Sequence, residues 1–527
     1  MKLNKVYIKN YKSLKEFHIG FNEIDQQIYK VPCRFLIGKN GSGKSVFLEA
    51  IGLVFTRIMQ DESPGFDYNI EYSVNLNNQE INIKVSCENK KQIYWIDGKE
   101  YDWIQEPFSQ KVDYHPSKII AQSTGPTNIL DDVLLKTPED SLLSDIYDLI
   151  NMDDMVNMSE RIQPVLQKLQ RLYEDSNCIS IDGETALLVI ITLCTFSELT
   201  NDHISNQEYC DKRQELFNII DNFVPISFSI TVKEKDIIEK IGSEKGPIER
   251  EFLKLMYLSA EGGSNTFYDY ESRYLDSQHV PSDSEDEQLF YRTCVFRFEQ
   301  DNEYQSFNYF HKKISSEANP FSFLTSLLYA KRIGLLHNFD MIFKMKNSGI
   351  VLSKNSFSDG EYLWLARLGL LLLSRYENNV LFLFDEPDVH SNEAWNINFI
   401  SHLNDFAGAS DRPFATHEAV VATHSTLLLT DAIPEQIYHF VPRDGSVTEM
   451  EPISIPTFGT NRGEIIKKIF GTETSIGTFA ERLLEKAFIL AEEDNDTSLL
   501  EKLSQRMGPG YHYFRVINRL TELDSKK

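Results

Sequence analysis

Gly38-Lys39-Asn40-Gly41-Ser42-Gly43-Lys44-Ser45 follows directly on the apolar run Arg34-Phe35-Leu36-Ile37. The octapeptide meets G-x-x-x-x-G-K-[ST] at every fixed position, and it lies where that pattern has mechanical meaning. An apolar strand ends, glycines let the backbone curl with its N–H groups inward, and a helix is expected over 46–54. Loop amides and a helix N-terminus suit phosphate oxygens, Lys44 suits the β- and γ-phosphates, and the Ser45 hydroxyl suits a Mg²⁺ position. A Gly-rich turn that matches by chance is the competing reading. The agreement of strand, loop and helix weighs against it.

A second stretch, Val380-Leu381-Phe382-Leu383-Phe384-Asp385-Glu386-Pro387, supplies what the first lacks. Five apolar residues before two acids read as a strand buried on both faces, as inside a parallel sheet. Asp385 at its carboxyl end can hold Mg²⁺ through water, and Glu386 can orient and deprotonate an attacking water. Together the two stretches predict a nucleotide-binding protein with ATPase chemistry.

Composition narrows the class. At 527 residues the chain exceeds one ordinary core, so two or three domains are expected. A formal charge of −26 argues against a general nucleic-acid coat or an anionic-membrane binder, although it leaves room for a local basic groove. Six cysteines are scattered without a C-x-x-C pair, so free thiols in a reducing cytoplasm are expected, with no zinc site or disulfide frame. The start, Met1-Lys2-Leu3-Asn4-Lys5, lacks a signal-peptide core, and the most apolar window, 186–196, is too short to span a bilayer.

Along the chain, 3–9 and 16–21 alternate as strands. Residues 69–75, 80–87 and 92–96 predict an antiparallel meander with turns at Asn77-Asn78 and Asp97-Gly98. Residues 117–122 form a further strand. Helical spacing follows over 138–223, then a strand at 226–232, a helix at 248–258, a polar and acidic loop at 261–287, a strand at 289–298, and helices at 304–315 and 320–336.

A third motif is Ser358-Asp359-Gly360-Glu361, ahead of a helix expected over 362–376. Ser358 and Glu361 have the spacing of a capping box, which is its purely structural reading. Its place one helix before the acidic strand is where ABC-type ATPases carry their signature. A strand ending in Thr423-His424-Ser425 comes after the acids. This order of phosphate loop, signature, acidic strand and histidine resembles the ABC-type ATPases of the SMC/RecF/OLD group, as does the opening Leu3-Asn4-Lys5-Val6-Tyr7-Ile8-Lys9-Asn10-Tyr11-Lys12-Ser13.

The resemblance implies an α/β fold: an ABC-type P-loop ATPase head, with a mixed sheet flanked by helices, an antiparallel meander and a mostly helical insertion. The expected divisions are 1–128 and 346–445 for the two halves of the head, 129–345 for the insertion and partner contacts, and 446–527 for a helical tail. It also implies ATP and Mg²⁺ as ligands, held between two heads. Lys44 and Ser45 of one subunit would hold the phosphates. Ser358 and Gly360 of the other would close over the γ-phosphate, with Asp359 and Glu361 beside them, and His424 would be the switch histidine. Gln122 is the candidate Mg²⁺-sensing glutamine, the alternative being an ordinary surface residue.

Coiled-coil arms and a fused nuclease constellation are absent from the sequence. That layout resembles the PtuA-like ATPases of Septu and retron antiphage defence. The resemblance implies a homodimer or larger assembly, a separate HNH nuclease subunit (PtuB-like), contact with nucleic acid, and a cytoplasmic location without membrane attachment. Two other readings remain open: a RecF-like DNA-binding repair ATPase, and a nucleotide-gated scaffold with little turnover. Glu386 argues against the scaffold.

Overall fold

The computed structural model describes residues 1–24, 29–59, 62–101, 114–123, 130, 132–136, 178–181, 183–196, 206–219, 223–233, 267–271, 290–297, 320–332, 336–389, 392–408, 417–443, 447–451, 453, 455–472, 476–494 and 496–524. They fall into two compact units, Met1–Pro452 and Ile453–Lys527.

The larger unit is α/β and contains three sheets. The first is antiparallel, in the order β2-β1-β4-β5-β6-β7, from β1 (Lys2–Tyr11), β2 (Leu14–Gly20), β4 (Tyr68–Leu76), β5 (Gln79–Glu88), β6 (Lys91–Ile96) and β7 (Lys99–Tyr101). Its last three hairpins each turn on two residues of positive φ: Asn77-Asn78, Asn89-Lys90 and Asp97-Gly98. Such left-handed pairs match the twist of the flanking strands. The turns at Asn77-Asn78 and Asp97-Gly98 are those expected from the sequence; Asn89 opens a third of the same kind, with Lys90 in a left-handed position that lysine rarely takes.

The second sheet has the order β18-β17-β3-β16-β15-β8-β9 and positions the site. It comprises β3 (Cys33–Ile37), β8 (Lys118–Ser123), β9 (Cys178–Ser180), β15 (Val380–Asp385), β16 (His417–Ala422), β17 (Ile437–Arg443) and β18 (Val447–Glu451). All neighbours from β17 to β9 are parallel, and only β18 runs antiparallel at its edge. Every residue of β15 is buried, as expected of a strand covered on both faces.

Helix α1 (Lys44–Met59) lies between the two sheets. Its Phe47, Ile51 and Phe55 join Val6, Ile8, Ile70 and Val85 of the meander and Leu36, Leu383 and Val420 of the parallel sheet in one core. Odd-numbered Leu381 and Leu383 face this core, while Phe384 packs with Phe399 on the other face. That face is covered by α5 (Asp359–Ser374).

The middle of the chain contributes helices α2 (Gly183–Thr195), α3 (Asn206–Ile219) and α4 (Pro320–Arg332), of which α2 packs against α5. It also holds an antiparallel sheet, β11-β12-β10-β13-β14, from β10 (Phe223–Lys233), β11 (Phe267–Glu271), β12 (Phe290–Arg297), β13 (Leu336–Met345) and β14 (Val351–Ser353). Strands β10 and β12 are anticipated by the sequence; β11 and β13 are corrections. The stretch 261–287, expected to be a loop, pairs through Phe267–Glu271 with β12, because three of those five residues are aromatic. The helix expected to reach residue 336 is described as far as Arg332, and Leu336 instead opens β13, which buries alternate residues Phe339, Met341 and Phe343. The expected helices at 248–258 and 304–315 lie outside the described residues.

The boundary expected at 445 moves to Pro452, because β18 completes the edge of the parallel sheet. Among the described residues the smaller unit holds four helices, α6 (Arg462–Lys468), α7 (Thr478–Glu493), α8 (Ser498–Ser504) and α9 (Tyr511–Asp524). Leu484, Ala487, Ala491, Leu500 and Val516 form its core. Among the described residues no helix is long and apolar enough to cross a membrane.

Candidate nucleotide site

Strands β3, β16 and β15 are adjacent and parallel, so the loops after their carboxyl ends share one rim. Ligands in open α/β sheets bind at such a rim. Gly38–Gly43 follow β3, Thr423-His424-Ser425 follow β16, and Glu386 follows β15. Three stretches distant in sequence thereby meet.

The loop after β3 leaves no room for side chains at two glycines. A Cβ on Gly38 (φ 145°) would stand 2.2 Å from the carbonyl oxygen of Phe440, and one on Gly43 (φ 96°) 2.4 Å from Thr448 Oγ1. Lys39, Asn40 and Gly41 form the exposed crest. Ser42 donates its N–H to the Lys39 carbonyl, and among the described residues its buried hydroxyl has no partner. A glycine loop that opens onto the N-terminus of α1, with a buried hydroxyl beside it, suits the polyphosphate of ATP.

Lys44, 5% exposed, donates through Nζ to the carbonyls of Gly38 (3.1 Å) and Lys39 (3.3 Å) and lies 2.9 Å from His424 Nε2. An ammonium has three donors and no acceptor, so His424 Nε2 accepts and its imidazole is neutral, protonated on Nδ1. Burial and the Lys44 charge both hold the His424 pKa below its usual value, which agrees with that tautomer. Burial likewise lowers the pKa of Lys44.

Ser45 Oγ donates to Asp385 Oδ1 at 3.0 Å. A hydroxyl beside a carboxylate is a hard-oxygen pair that suits Mg²⁺, an ion that takes most of its remaining ligands from phosphate and water. Burial, foremost, raises the Asp385 pKa to about 6.

Glu386 adopts a left-handed backbone, φ 51°, and its N–H donates to the Ala422 carbonyl at 2.8 Å. That turn aims the carboxylate at the rim, where Oε1 is 3.6 Å from His424 Nε2 and the side chain is 42% exposed. A base that must meet water is therefore the exposed acid of the pair, and the metal-binding acid is the buried one.

Asp385 also carries a stability cost. The folded chain keeps its proton up to about pH 6, while an ordinary aspartate loses it near 3.8. The folded state therefore binds the extra proton between these values, and stability falls as pH rises through that window. Without nucleotide, Asp385→Asn should melt higher than wild type above pH 6, by at most about 3 kcal/mol at 1.36 kcal/mol per pH unit. The difference should vanish below pH 4, read by thermal denaturation at both pH values.

The signature residues stand apart from this cluster. Ser358 caps α5: it accepts from the Glu361 N–H at 3.4 Å, and Glu361 Oε2 accepts from the Ser358 N–H at 2.7 Å. Among the described residues the Ser358 hydroxyl hydrogen-bonds only with Glu361, while its carbonyl accepts the Tyr362 N–H of the same helix, and Ser358 is exposed. Gly360 lies in the first turn, and of Asp359 only the backbone is described. His390 lies outside the described residues.

Gln122 is corrected on two counts. It is fully buried, not a surface residue, and the structure does not bring it to Ser45 and Asp385. It pairs in register with Phe384, so strand alternation turns its side chain to the α5 face while Asp385 faces α1. There its Oε1 accepts from Arg367 Nε at 2.9 Å.

Three contributors escape sequence reasoning. Thr448 on β18 donates through Oγ1 to the Ser42 carbonyl at 2.9 Å and through its N–H to the Ser13 carbonyl, bracing the phosphate loop from 406 residues away. Thr423 Oγ1 donates to Asp388 Oδ1 at 2.7 Å and accepts the Ser425 N–H, which fixes the turn that presents His424. Arg367 is the third, and a lone charge in the apolar run Leu365-Ala366-Arg367-Leu368 is the signal that could have found it.

The AAA_15 family, an AAA ATPase domain, matches residues 1–428. No curated protein sequence matches the chain. Among solved structures, an Smc head bound to the C-winged helix domain of ScpA is 14% identical, covering 86% of this chain and 98% of its own at TM-score 0.33. The SMC head domain from Thermotoga maritima is 12% identical, covering 86% and 100% at TM-score 0.33. Likeness at that level carries no argument, and the fold stands on its own sheet order.

Proposed function

We propose, from the premise that this chain belongs to the AAA ATPase domain family, that it is the ATP-hydrolysing regulatory subunit of a bacterial antiphage defence complex. It closes head to head as a dimer around ATP and Mg²⁺ and controls a separate nuclease subunit of HNH type. ATPase chemistry follows from the family. The observation that carries the mechanism is the convergence of Lys44, Ser45, Asp385, Glu386 and His424 on one rim. Lys44 binds phosphate, Ser45 and Asp385 would hold Mg²⁺, which would neutralise phosphate charge when bound, and Glu386 takes the proton of the attacking water.

Dimer closure is supported by Ser358, whose hydrogen bonds stay within its own cap. A signature that is exposed and not engaged at its own phosphate loop is free to serve the loop of a second copy. The nuclease partner and the cytoplasmic defence role rest on the PtuA-like layout of the sequence.

Native purification from cells carrying the neighbouring genes, with and without ATP, followed by mass spectrometry, tests the assignment. An HNH nuclease in stoichiometric amount is the expected result. A homodimer that carries DNA and no nuclease would overturn it in favour of a repair ATPase.

A further inference from the structure

The turn that aims Glu386 is held at each successive residue. A non-glycine at φ 51° is strained and persists only where its surroundings fix it. The Glu386 N–H is tied to Ala422, the Pro387 carbonyl accepts from Arg367 Nη2 at 2.8 Å, and the Asp388 carbonyl accepts from Asn396 Nδ2 at 3.2 Å. Of these ties, only the one from Arg367 reaches across from α5.

Arg367 is an expensive way to make that bond. It is 1% exposed, enclosed by the rings of Trp364, Phe384 and Phe399 at 5.1–5.9 Å, and burial lowers its pKa to about 9. Among the described residues its hydrogen-bond partners are neutral, the Gln122 carboxamide and the Pro387 carbonyl, and Nη1 has none. The acid that most favours its charge, Asp388, is engaged by Thr423. Burying a guanidinium without a bonded carboxylate costs several kcal/mol, and an apolar residue would serve stability better. What arginine adds is a rigid fork, here bridging β8 and the turn after β15, which lysine cannot reproduce.

We propose that Arg367 is a positioning residue for Glu386: braced by Gln122, it holds the Pro387 carbonyl and with it the left-handed turn that presents the catalytic carboxylate. It stands nine residues after Ser358 on α5, about 14 Å along the helix axis at 1.5 Å per residue. The helix whose start meets a second copy's nucleotide is therefore bonded to the base of its own site. This inference rests on the nucleotide-site reading.

The test measures steady-state ATP turnover and equilibrium binding of a fluorescent ATP analogue with Mg²⁺ on the full chain. Arg367→Met should lower kcat at least tenfold while analogue affinity stays within about twofold, and Arg367→Lys should do the same, since it keeps the charge and loses the fork. In the Glu386→Gln background Arg367→Met should change turnover no further, because residues acting through one group are non-additive. Parallel losses of affinity and kcat, or a full further loss in the Glu386→Gln background, would overturn the inference. If Arg367→Met does not fold, Arg367→Lys alone carries the comparison. Failure of wild type to bind the analogue would instead sink the nucleotide-site reading, and this inference with it.

Discussion

Lys44→Ala is expected to weaken ATP binding at least about 100-fold. Each charge-assisted hydrogen bond from an ammonium to phosphate contributes about 1.5–3 kcal/mol, and loss of two such bonds spans two decades or more in Kd. The ammonium donates to the Gly38 and Lys39 carbonyls and meets His424, which places it at the head of the loop. Isothermal titration with ATP and Mg²⁺ reads the loss, and an unchanged circular dichroism spectrum separates it from unfolding. A second readout is independent of nucleotide. The Lys44 charge helps to hold the His424 pKa down, so in Lys44→Ala the imidazole should titrate at higher pH, measured by NMR. Retained ATP affinity would remove the phosphate-loop assignment.

Glu386→Gln is expected to lower turnover by about 10²- to 10⁴-fold, the range that a positioned general base contributes. Binding should survive, because the Glu386 side chain stands 42% exposed at the open edge of the site. Glutamine preserves the size and the left-handed backbone tie to Ala422, so the change isolates proton transfer from the geometry of the turn. Single-turnover hydrolysis at saturating ATP measures the effect. Turnover at the wild-type level would assign the proton transfer elsewhere.

The parts of this site legible in the sequence are those written contiguously. The phosphate loop, the acidic strand and the cap at Ser358 each combine an element boundary with the residues that do the chemistry. The meander was legible for the same reason: alternation and asparagine turns are local. What could not be read depends on which strand lies beside which. The meeting of Lys44 with His424 needs β16 between β3 and β15, and the bracing of Ser42 by Thr448 needs β18 at the sheet edge. Gln122 shows the limit most plainly. Its place at the end of a strand was read correctly, but only the register with Phe384 decides that it faces Arg367 and α5, away from Asp385. Arg367 itself was passed over because a charge in an apolar helix has meaning only once its two neutral partners are known.

The molar mass of Glu386→Gln by sedimentation velocity, with and without ATP and Mg²⁺, tests most directly whether the site is completed by a second copy. Trapped ATP should convert the chain to a dimer, and adding Ser358→Arg should return it to the mass seen without nucleotide. A Glu386→Gln chain that binds ATP yet keeps one mass, or a dimer indifferent to Ser358→Arg, would contradict the account.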